Sequence, residues 1–100
     1  MLILVAKFKT KPGCIEEMIE LAKNAIEPSR AEEGCIIYDF MQDPFSQDSF
    51  TFFEKWRSRE DLDLHFEEPH FKKFAGKVHE YIEDEPSLIS YEIESETEIS

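Results

Sequence analysis

Residues 35–56 read CIIYDFMQDPFSQDSFTFFEKW and place two apolar runs on either side of a short polar segment. The first run, residues 35–42, and the second, residues 50–56, are rich in the β-branched and aromatic residues that favour strands. The intervening residues 43–49 contain Asp, Pro and Ser, which favour turns. The sequence therefore predicts a β-hairpin at the centre of the chain.

Upstream of this hairpin, the pattern predicts a strand followed by a helix. Residues 2–9 read LILVAKFK, an apolar run that becomes alternating, as in a strand buried on both faces. After a break at residues 11–13, apolar residues recur at three- and four-residue steps, with Glu and Lys between them. Such spacing is typical of an amphipathic helix. The helical pattern fades near Pro28, and Gly34 ends this segment.

Downstream of the hairpin, the pattern predicts two short helical segments and a last strand. Ser58 precedes acidic residues, as at a helix N-cap, and begins a short helix that runs through Phe66. Pro69 fits the first turn of a second segment, whose apolar residues keep helical spacing up to Ile82. Residues 88–95 alternate apolar and polar side chains, which indicates a strand.

The order β-α-β-β-α-β predicts an α+β fold, the ferredoxin-like plait, with helices on one face of an antiparallel sheet. With 100 residues, we expect a single domain that spans residues 1–100, with a core at about 2–93 and an acidic tail at 94–100. The first three strands carry large apolar side chains on both faces. We therefore expect a second copy to cover the open face in a two-fold homodimer, and an apolar cavity between the sheet and the helices.

The charge balance excludes several classes of partner. The chain has 11 Lys and Arg against 23 Asp and Glu, a formal net charge of -12. Such a field repels polyanions, so we expect no nucleic-acid partner and no anionic membrane surface. No signal sequence or membrane-length apolar run is present, and a cytoplasmic protein is the expectation. The predicted helix separates Cys14 from Cys35, which we expect to be reduced.

Cofactor motifs are absent from the sequence. It has three glycines and neither a Gly-rich phosphate loop nor a Cys-x-x-Cys pair, so we expect no bound nucleotide, flavin or structural zinc. His65 and His70 superficially resemble a zinc motif. Metalloproteases of that type need histidines four residues apart on one helix, whereas here the spacing is five and Pro69 interrupts. We therefore predict no metal site.

His65 and Glu54 are the main candidates for chemistry. His65 lies on the apolar face of the short helix, where it is either a half-buried structural side chain or a general base for an acidic hydroxyl. Glu54 is a lone carboxylate in an apolar strand, so it must be paired or have a raised pKa. Its alternatives are an ion pair with Arg30 or Arg57, or a polar group at the cavity edge that orients His65 or a substrate.

Two aromatic residues and two further histidines complete the candidates. Tyr38 belongs to the core by default, and alternatively donates a hydrogen bond to a substrate oxygen. Trp56 by default anchors the sheet against the helices. His70 is the nearby rival of His65 as a base, and His79 falls off the apolar stripe and is expected at the surface.

An ordered set of segments resembles the antibiotic biosynthesis monooxygenase (ABM) domain family, whose members are small dimeric α/β-barrel proteins. The segments are KPG at 11–13, RAEEGCIIY at 30–38, FEKW at 53–56, LDLH at 62–65 and PHF at 69–71. In order and spacing, the resemblance extends from about Leu2 to Ile93.

The resemblance implies a homodimer with a pocket between sheet and helices and, as in several members, oxygenation of quinols or phenols without flavin, heme or metal. By position, it implies that His65 lines that pocket with Trp56 and Tyr38. From this resemblance together with the residue patterns, we expect His65 as the base, Trp56 and Tyr38 as substrate walls or hydrogen-bond donors, and Glu54 as an orienting or structural carboxylate. The expected function is a cofactor-independent monooxygenase that uses molecular oxygen on a quinol or other electron-rich aromatic molecule. The alternative is a non-enzymatic dimeric module that binds an aromatic or quinone ligand.

Heme-degrading relatives of the same fold carry an Asn on the first strand, a Trp after the third strand and a heme-ligating His in the final helix. The corresponding positions here are Ala6, His65 and Ala75. The resemblance therefore argues against heme degradation.

Overall fold

The computed structural model describes residues 1–100 and contains four strands and three helices. Their order confirms the predicted α+β plait. The elements are β1 (Leu2–Lys9), α1 (Ile15–Arg30), β2 (Cys35–Asp43), β3 (Ser46–Trp56), α2 (Arg59–Glu67), α3 (Pro69–Val78) and β4 (Ser87–Glu92).

The four strands form one antiparallel sheet in the order β2-β3-β1-β4. Glu54 of β3 pairs with Tyr38 of β2 on one side and with Leu4 of β1 on the other. Ser90 of β4 continues the same row. Because residues paired directly across strands point to the same face, this row brings Tyr38 and Glu54 side by side under the helices.

The helices cover one face of the sheet. Along β1, the residues from Leu2 to Phe8 alternate between buried and more exposed. In a single copy, one face of this strand therefore lies in the core, whereas the pattern predicted burial of both faces. The largest fully buried side chains include Trp56, Phe50 and Phe52 of β3. None of the three helices combines the length and apolar composition that crossing a membrane requires.

The opposite face of the sheet, which we call the open face, is also apolar. Ile3 and Val5 of β1 lie on this face beside Tyr91 and Ile89 of β4, and Phe53 of β3 continues it. Ile89 and Tyr91 are 49% and 51% exposed. In a single copy of the chain, large apolar side chains on this face therefore meet water.

Strand β3 begins at Ser46, four residues before the Phe50 that the pattern predicted. The hairpin turn is correspondingly tighter. The Asp43 carboxylate accepts a hydrogen bond of 2.8 Å from the Phe45 N–H, which closes the turn locally. Of the polar residues at the start of β3, Ser46 pairs with Asp43 of β2, and a register irregularity separates this pair from Gln42 and Phe50. Ser49 pairs instead with Lys9 of β1.

Helix α1 continues past Pro28 to Arg30, beyond the point where the apolar pattern faded. Pro28 has no backbone N–H and therefore cannot donate a helical hydrogen bond. Because it lies in the last turn, this missing bond is near the helix end. The Ala31 N–H donates to the Glu27 carbonyl and keeps this turn closed.

Strand β4 ends at Glu92, before the predicted boundary at 95, because its partner strand ends there. Glu92 pairs with Leu2, the first residue of β1, and Ile93 adds only one bond to the Met1 carbonyl. Beyond this point the acidic tail contacts the open face, where the Glu96 carboxylate pairs with the Lys55 ammonium group.

Both cysteines are unpaired and half-buried, as predicted. Burial, together with the nearby Glu32 and Glu54 carboxylates, raises the pKa of the Cys35 thiol to about 11. Because the thiolate is the nucleophilic form, Cys35 is a poor nucleophile at neutral pH.

Candidate functional site

A cavity of about 620 Å³ lies between the sheet and the helices. Most of its lining is apolar, and six aromatic side chains contribute to it: Phe8, Tyr38, Phe52, Phe66, Phe71 and Phe74. This size and composition suit a small aromatic ligand, which such walls contact over both ring faces.

Glu54 borders this cavity from the sheet side. It is only 4% exposed, and one carboxylate oxygen accepts a hydrogen bond of 3.0 Å from the Trp56 indole N–H. The other oxygen has no hydrogen-bond partner in the protein. Burial raises the pKa of Glu54 to about 7, with a further contribution from Glu32 and opposition from the Trp56 N–H. Near neutral pH, Glu54 therefore exchanges protons readily, as a general base must.

The expected ion pair between Glu54 and an arginine is wrong. Arg30 instead donates to the Tyr38 carbonyl at 2.9 Å and to the Asp39 carboxylate at 3.3 Å. Arg57 forms a bidentate pair with Asp61, at 2.8 and 3.0 Å. Both arginines have partners outside the cavity, which leaves Glu54 without a cationic neighbour.

Tyr38 and Trp56 lie near Glu54 and differ in how they relate to the cavity. Tyr38 borders the cavity, and burial, reinforced by the Glu54 charge, raises the pKa of its phenol well above the usual value. The phenol therefore stays protonated and is able to donate a hydrogen bond. Trp56 is fully buried and lies outside the cavity lining, so it reaches the site through its bond to Glu54.

His65 lies one layer behind the cavity, on α2. It is 1% exposed, is not among the lining residues, and its ring centroid is 4.6 Å from Trp56 and 5.5 Å from Tyr38. Burial lowers the pKa of His65, although the bond to Glu32 opposes this effect. The imidazole is therefore neutral at neutral pH, with its Nδ1–H donating to Glu32 and its lone pair on Nε2.

The Glu32 cluster consists of Glu32, His65 and His70. One Glu32 oxygen lies 2.6 Å from His65 Nδ1 and 2.7 Å from His70 Nε2, so it accepts a hydrogen bond from each ring. No local sequence pattern identifies Glu32, because its partners are 33 and 38 residues away along the chain. The cluster ties the loop between α1 and β2 to α2 and α3.

Each residue of the Glu32 cluster offers one atom that could ligate a metal ion, and these three atoms lie within 4.8 Å of one another. Zinc ligands at about 2.0–2.1 Å in a tetrahedral site stand roughly 3.3 Å apart. The Glu32 oxygen is closer to both nitrogens than that, at hydrogen-bond distances. The geometry is therefore that of a hydrogen-bonded network, and the absence of a metal stays a prediction.

The structure brings all four predicted site residues together, but only two of them border the cavity. Tyr38 and Glu54 line it, and Trp56 and His65 pack directly behind them. The catalytic and binding roles stay predictions. His79 is exposed, as predicted, and also lies at the cavity rim.

Comparison with known proteins identifies relatives along most of the chain. The sequence profile of the family described as antibiotic biosynthesis monooxygenase matches residues 1–77. "Uncharacterized protein sll1783" from Synechocystis sp. is 43% identical over 89% of this chain and 56% of its own length, so the chain spans little more than half of that relative. "Putative monooxygenase YcnE" from Bacillus subtilis is 34% identical over 82% of this chain and 86% of its own.

Solved structures agree with these sequence matches. Rv0793 from Mycobacterium tuberculosis superposes with a TM-score of 0.91 at 27% identity and covers 97% of this chain and 98% of its own. A conserved protein from Methanosarcina mazei Go1 has a TM-score of 0.86 at 32% identity, covering 90% and 89%. The resemblance found in the sequence is therefore confirmed, and the chain belongs to the antibiotic biosynthesis monooxygenase family.

Proposed function

We propose that the protein is a cofactor-independent monooxygenase that acts on a quinol or another electron-rich aromatic molecule with molecular oxygen. The observation that carries this proposal is the buried Glu54 carboxylate, which borders an aromatic cavity and titrates near pH 7. Two relatives, from Bacillus subtilis and Mycobacterium tuberculosis, have names that support a monooxygenase.

In this proposal Glu54 removes the proton of a substrate hydroxyl. The resulting phenolate is more easily oxidised than the phenol, so it gives one electron to oxygen, and the two radicals combine at a ring carbon. Protonated Glu54 then returns its proton to the peroxide anion, which forms the hydroperoxide. Loss of water from the hydroperoxide then leaves a carbonyl. For a hydroquinone, the balance is hydroquinone plus O₂ giving hydroxyquinone plus water, with all four electrons supplied by the substrate. The aromatic walls exclude water from the intermediates.

The neighbouring residues have distinct roles in this reaction. Tyr38 donates a hydrogen bond to a substrate oxygen, and Trp56 holds the Glu54 carboxylate through its indole N–H. His65, the base assigned from the sequence, meets Tyr38 and Trp56 and not the cavity itself. We therefore place His65 behind the reacting groups, where it fixes the two aromatic rings, and place Glu54 at the substrate.

The test is oxygen consumption by metal-stripped protein with hydroquinones, naphthols and anthrones, after subtraction of autoxidation. Glu54→Gln keeps the shape and still accepts the Trp56 hydrogen bond, but it cannot take a proton. We expect it to lower kcat by about 10²- to 10⁴-fold. Glu33→Gln, whose side chain is 89% exposed, is the matched control and should retain full activity.

His65→Gln separates the two assignments of the base. Positioning by His65 predicts a smaller loss than that of Glu54→Gln and an unchanged pH profile. The role of Glu54 would be overturned if His65→Gln consumed oxygen no faster than autoxidation while Glu54→Gln stayed active. No turnover by the unmodified protein with any substrate would contradict the oxygenase and favour the non-enzymatic module for an aromatic or quinone ligand.

The open face supports the homodimer as part of this proposal. A second copy that packs sheet to sheet removes the half-exposed Ile89 and Tyr91 from water. Light scattering at micromolar concentration should give a dimer, and Ile89→Lys should shift it towards monomer. Leu64→Lys, at a 62% exposed apolar position on α2, is the control and should leave the mass unchanged. A well-folded monomer of the unmodified chain would contradict this assembly.

A further inference from the structure

Three consecutive acidic residues border the mouth of the cavity. We call Glu83, Asp84 and Glu85, which lie in the bend between α3 and β4, the acidic mouth. All three are exposed. No Lys or Arg is among the residues that line the cavity. Besides these three residues, the ionisable lining residues are Glu54, Tyr38 and His79.

Nearby lysines offset this charge only in part. Lys9 Nζ lies 4.0 Å from the Glu83 carboxylate, at the limit of an ion pair, whereas Asp84 and Glu85 form none. Lys7 and Lys9 line a neighbouring groove together with Asp84 and Glu85. Three carboxylates against these two lysines leave the acidic mouth with a net negative charge.

A second, independent feature lies inside the same cavity. Glu54 is 4% exposed, and one of its oxygens has no hydrogen-bond partner in the protein. This oxygen is not fully enclosed by protein atoms, so a molecule in the cavity is able to reach it and supply the missing donor. The inner end of the ligand is thereby a donor, such as a phenolic hydroxyl.

From these two features we infer that the cavity takes an aromatic ligand with a hydroxyl group at its inner end and an ammonium group at its outer end. The hydroxyl meets Glu54, the ring packs among the aromatic walls, and the ammonium group meets the acidic mouth. This inference names a substrate class for the proposed oxygenase and rests on that proposal for its choice of cavity.

The same charges discriminate against anions. A carboxylate at the outer end of the ligand meets the acidic mouth and, when Glu54 is ionised, a further like charge in a poorly solvated cavity. An ammonium group at that position instead gains from each carboxylate, and the field of the mouth steers cations towards it. Ligands with a cationic outer group should therefore bind more tightly than those with an anionic one, and this difference in affinity should decrease as salt increases.

The test is a binding measurement without oxygen, so that its result does not depend on turnover. Three phenols of similar size serve as probes: tyramine with an ammonium group, neutral 4-ethylphenol, and 3-(4-hydroxyphenyl)propanoate with a carboxylate. Trp56 is the single tryptophan of the chain, and its indole N–H donates to Glu54. Its NMR cross-peak therefore reports directly whether a phenol occupies the inner end of the cavity.

We expect all three phenols to shift the Trp56 cross-peak, with tyramine binding about tenfold more tightly than the carboxylate and 4-ethylphenol between them. Combining Glu83→Gln, Asp84→Asn and Glu85→Gln should remove most of this difference. The matched control combines Glu16→Gln, Glu17→Gln and Glu20→Gln, which changes the net charge equally at exposed positions on α1 and should preserve the order.

Equal affinities, a preference for the carboxylate, or no shift of the Trp56 signal with any probe would overturn the inference. The same order in the acidic-mouth variant and in the original protein would also overturn it, because the selectivity would then arise elsewhere. Cation selectivity without oxygen consumption would leave the inference standing and contradict only the oxygenase.

Discussion

Glu32 and Glu54 are two nearly buried carboxylates, and they differ in what surrounds their oxygens. One Glu32 oxygen accepts hydrogen bonds from both His65 and His70. Glu54 accepts one bond from Trp56 and presents its other oxygen to the cavity. Two histidine donors of the protein therefore hold Glu32 in a structural network. Glu54 has one oxygen without a protein donor, and a ligand in the cavity is able to supply that donor.

This difference predicts opposite effects on stability, and the largest is at Glu32. Glu32→Ala should lower the free energy of unfolding by about 3 kcal/mol, because the buried His65 Nδ1–H and the His70 Nε2–H lose their acceptor. Urea denaturation measures the change. Glu33→Ala, at an exposed neighbouring position, is the control, with an expected change below about 0.5 kcal/mol. Equal stability of the two variants would remove the structural role of Glu32.

Gly34→Ala disturbs the Glu32 cluster from the other side. A Cβ at this position would lie 2.2 Å from Cγ of Asp61, which Arg57 and Ser58 hold in place on α2. Because α2 also carries His65, relieving the clash moves the helix that the cluster fixes, and we expect a loss of about 2 kcal/mol.

The matched control for that substitution is Gly76→Ala in α3, where nothing lies within 4 Å of the added atom. Alanine favours the helix, so this variant should gain about 0.5–1 kcal/mol. Thermal or urea unfolding compares the two. A Gly34→Ala variant as stable as Gly76→Ala would show that the contact with Asp61 does not constrain α2.

At Glu54, the expected change is a gain in stability that depends on pH. Its pKa rises from 4.5 to about 7 on folding, so the unfolded chain releases this proton first and the free energy of unfolding falls as pH rises between these values. Glu54→Gln removes this loss and should be more stable by about 1–2 kcal/mol near pH 8. The full shift corresponds to about 3 kcal/mol, and burial of the amide offsets part of it.

Urea titrations between about pH 5 and pH 8 test this dependence. The advantage of Glu54→Gln should grow with pH and level off above about pH 7. Glu92→Gln, at an exposed position on β4, should show no such trend. A constant difference across this range would mean that Glu54 has the same pKa in the folded and unfolded chains.

The smallest effect is expected at His70. Its side chain is 17% exposed, against 1% for His65, so water replaces part of the bond that His70→Ala removes from Glu32. The cost should be below about 1 kcal/mol in urea denaturation. A loss as large as that of Glu32→Ala would show that the bond to His70, and not the one to His65, holds the cluster together.

Local patterns in the sequence were sufficient for most of the fold. Alternation predicted β1, and the Ser58 N-cap and Pro69 predicted the starts of α2 and α3, because each signal depends on residues close in the chain. The early start of β3 and the end of β4 at Glu92 were missed. Both are set by pairing with another strand, which a single stretch of sequence does not contain.

The site was predictable only in part, for the same physical reason. The lone carboxylate in an apolar strand identified Glu54, and the burial of Tyr38 and Trp56 followed from their strand positions. Glu32 was missed because its bond to His65 joins residues 33 positions apart. The acidic mouth was missed because a run of charged residues at 83–85 indicates only an exposed bend. Its position at the cavity depends on the packing of α3 and β4, which the local sequence does not contain.

The contact between the acidic tail and the open face means that the tail and the proposed second copy would bind to the same surface. Glu96 pairs with Lys55, which lies on the face that a second copy would cover. In the proposed homodimer, the second copy and the tail compete for this face, so the affinity between the two copies includes the work of breaking the Glu96–Lys55 pair. Added salt weakens this pair and also screens the repulsion between two chains of net charge -12, so ionic strength should favour association.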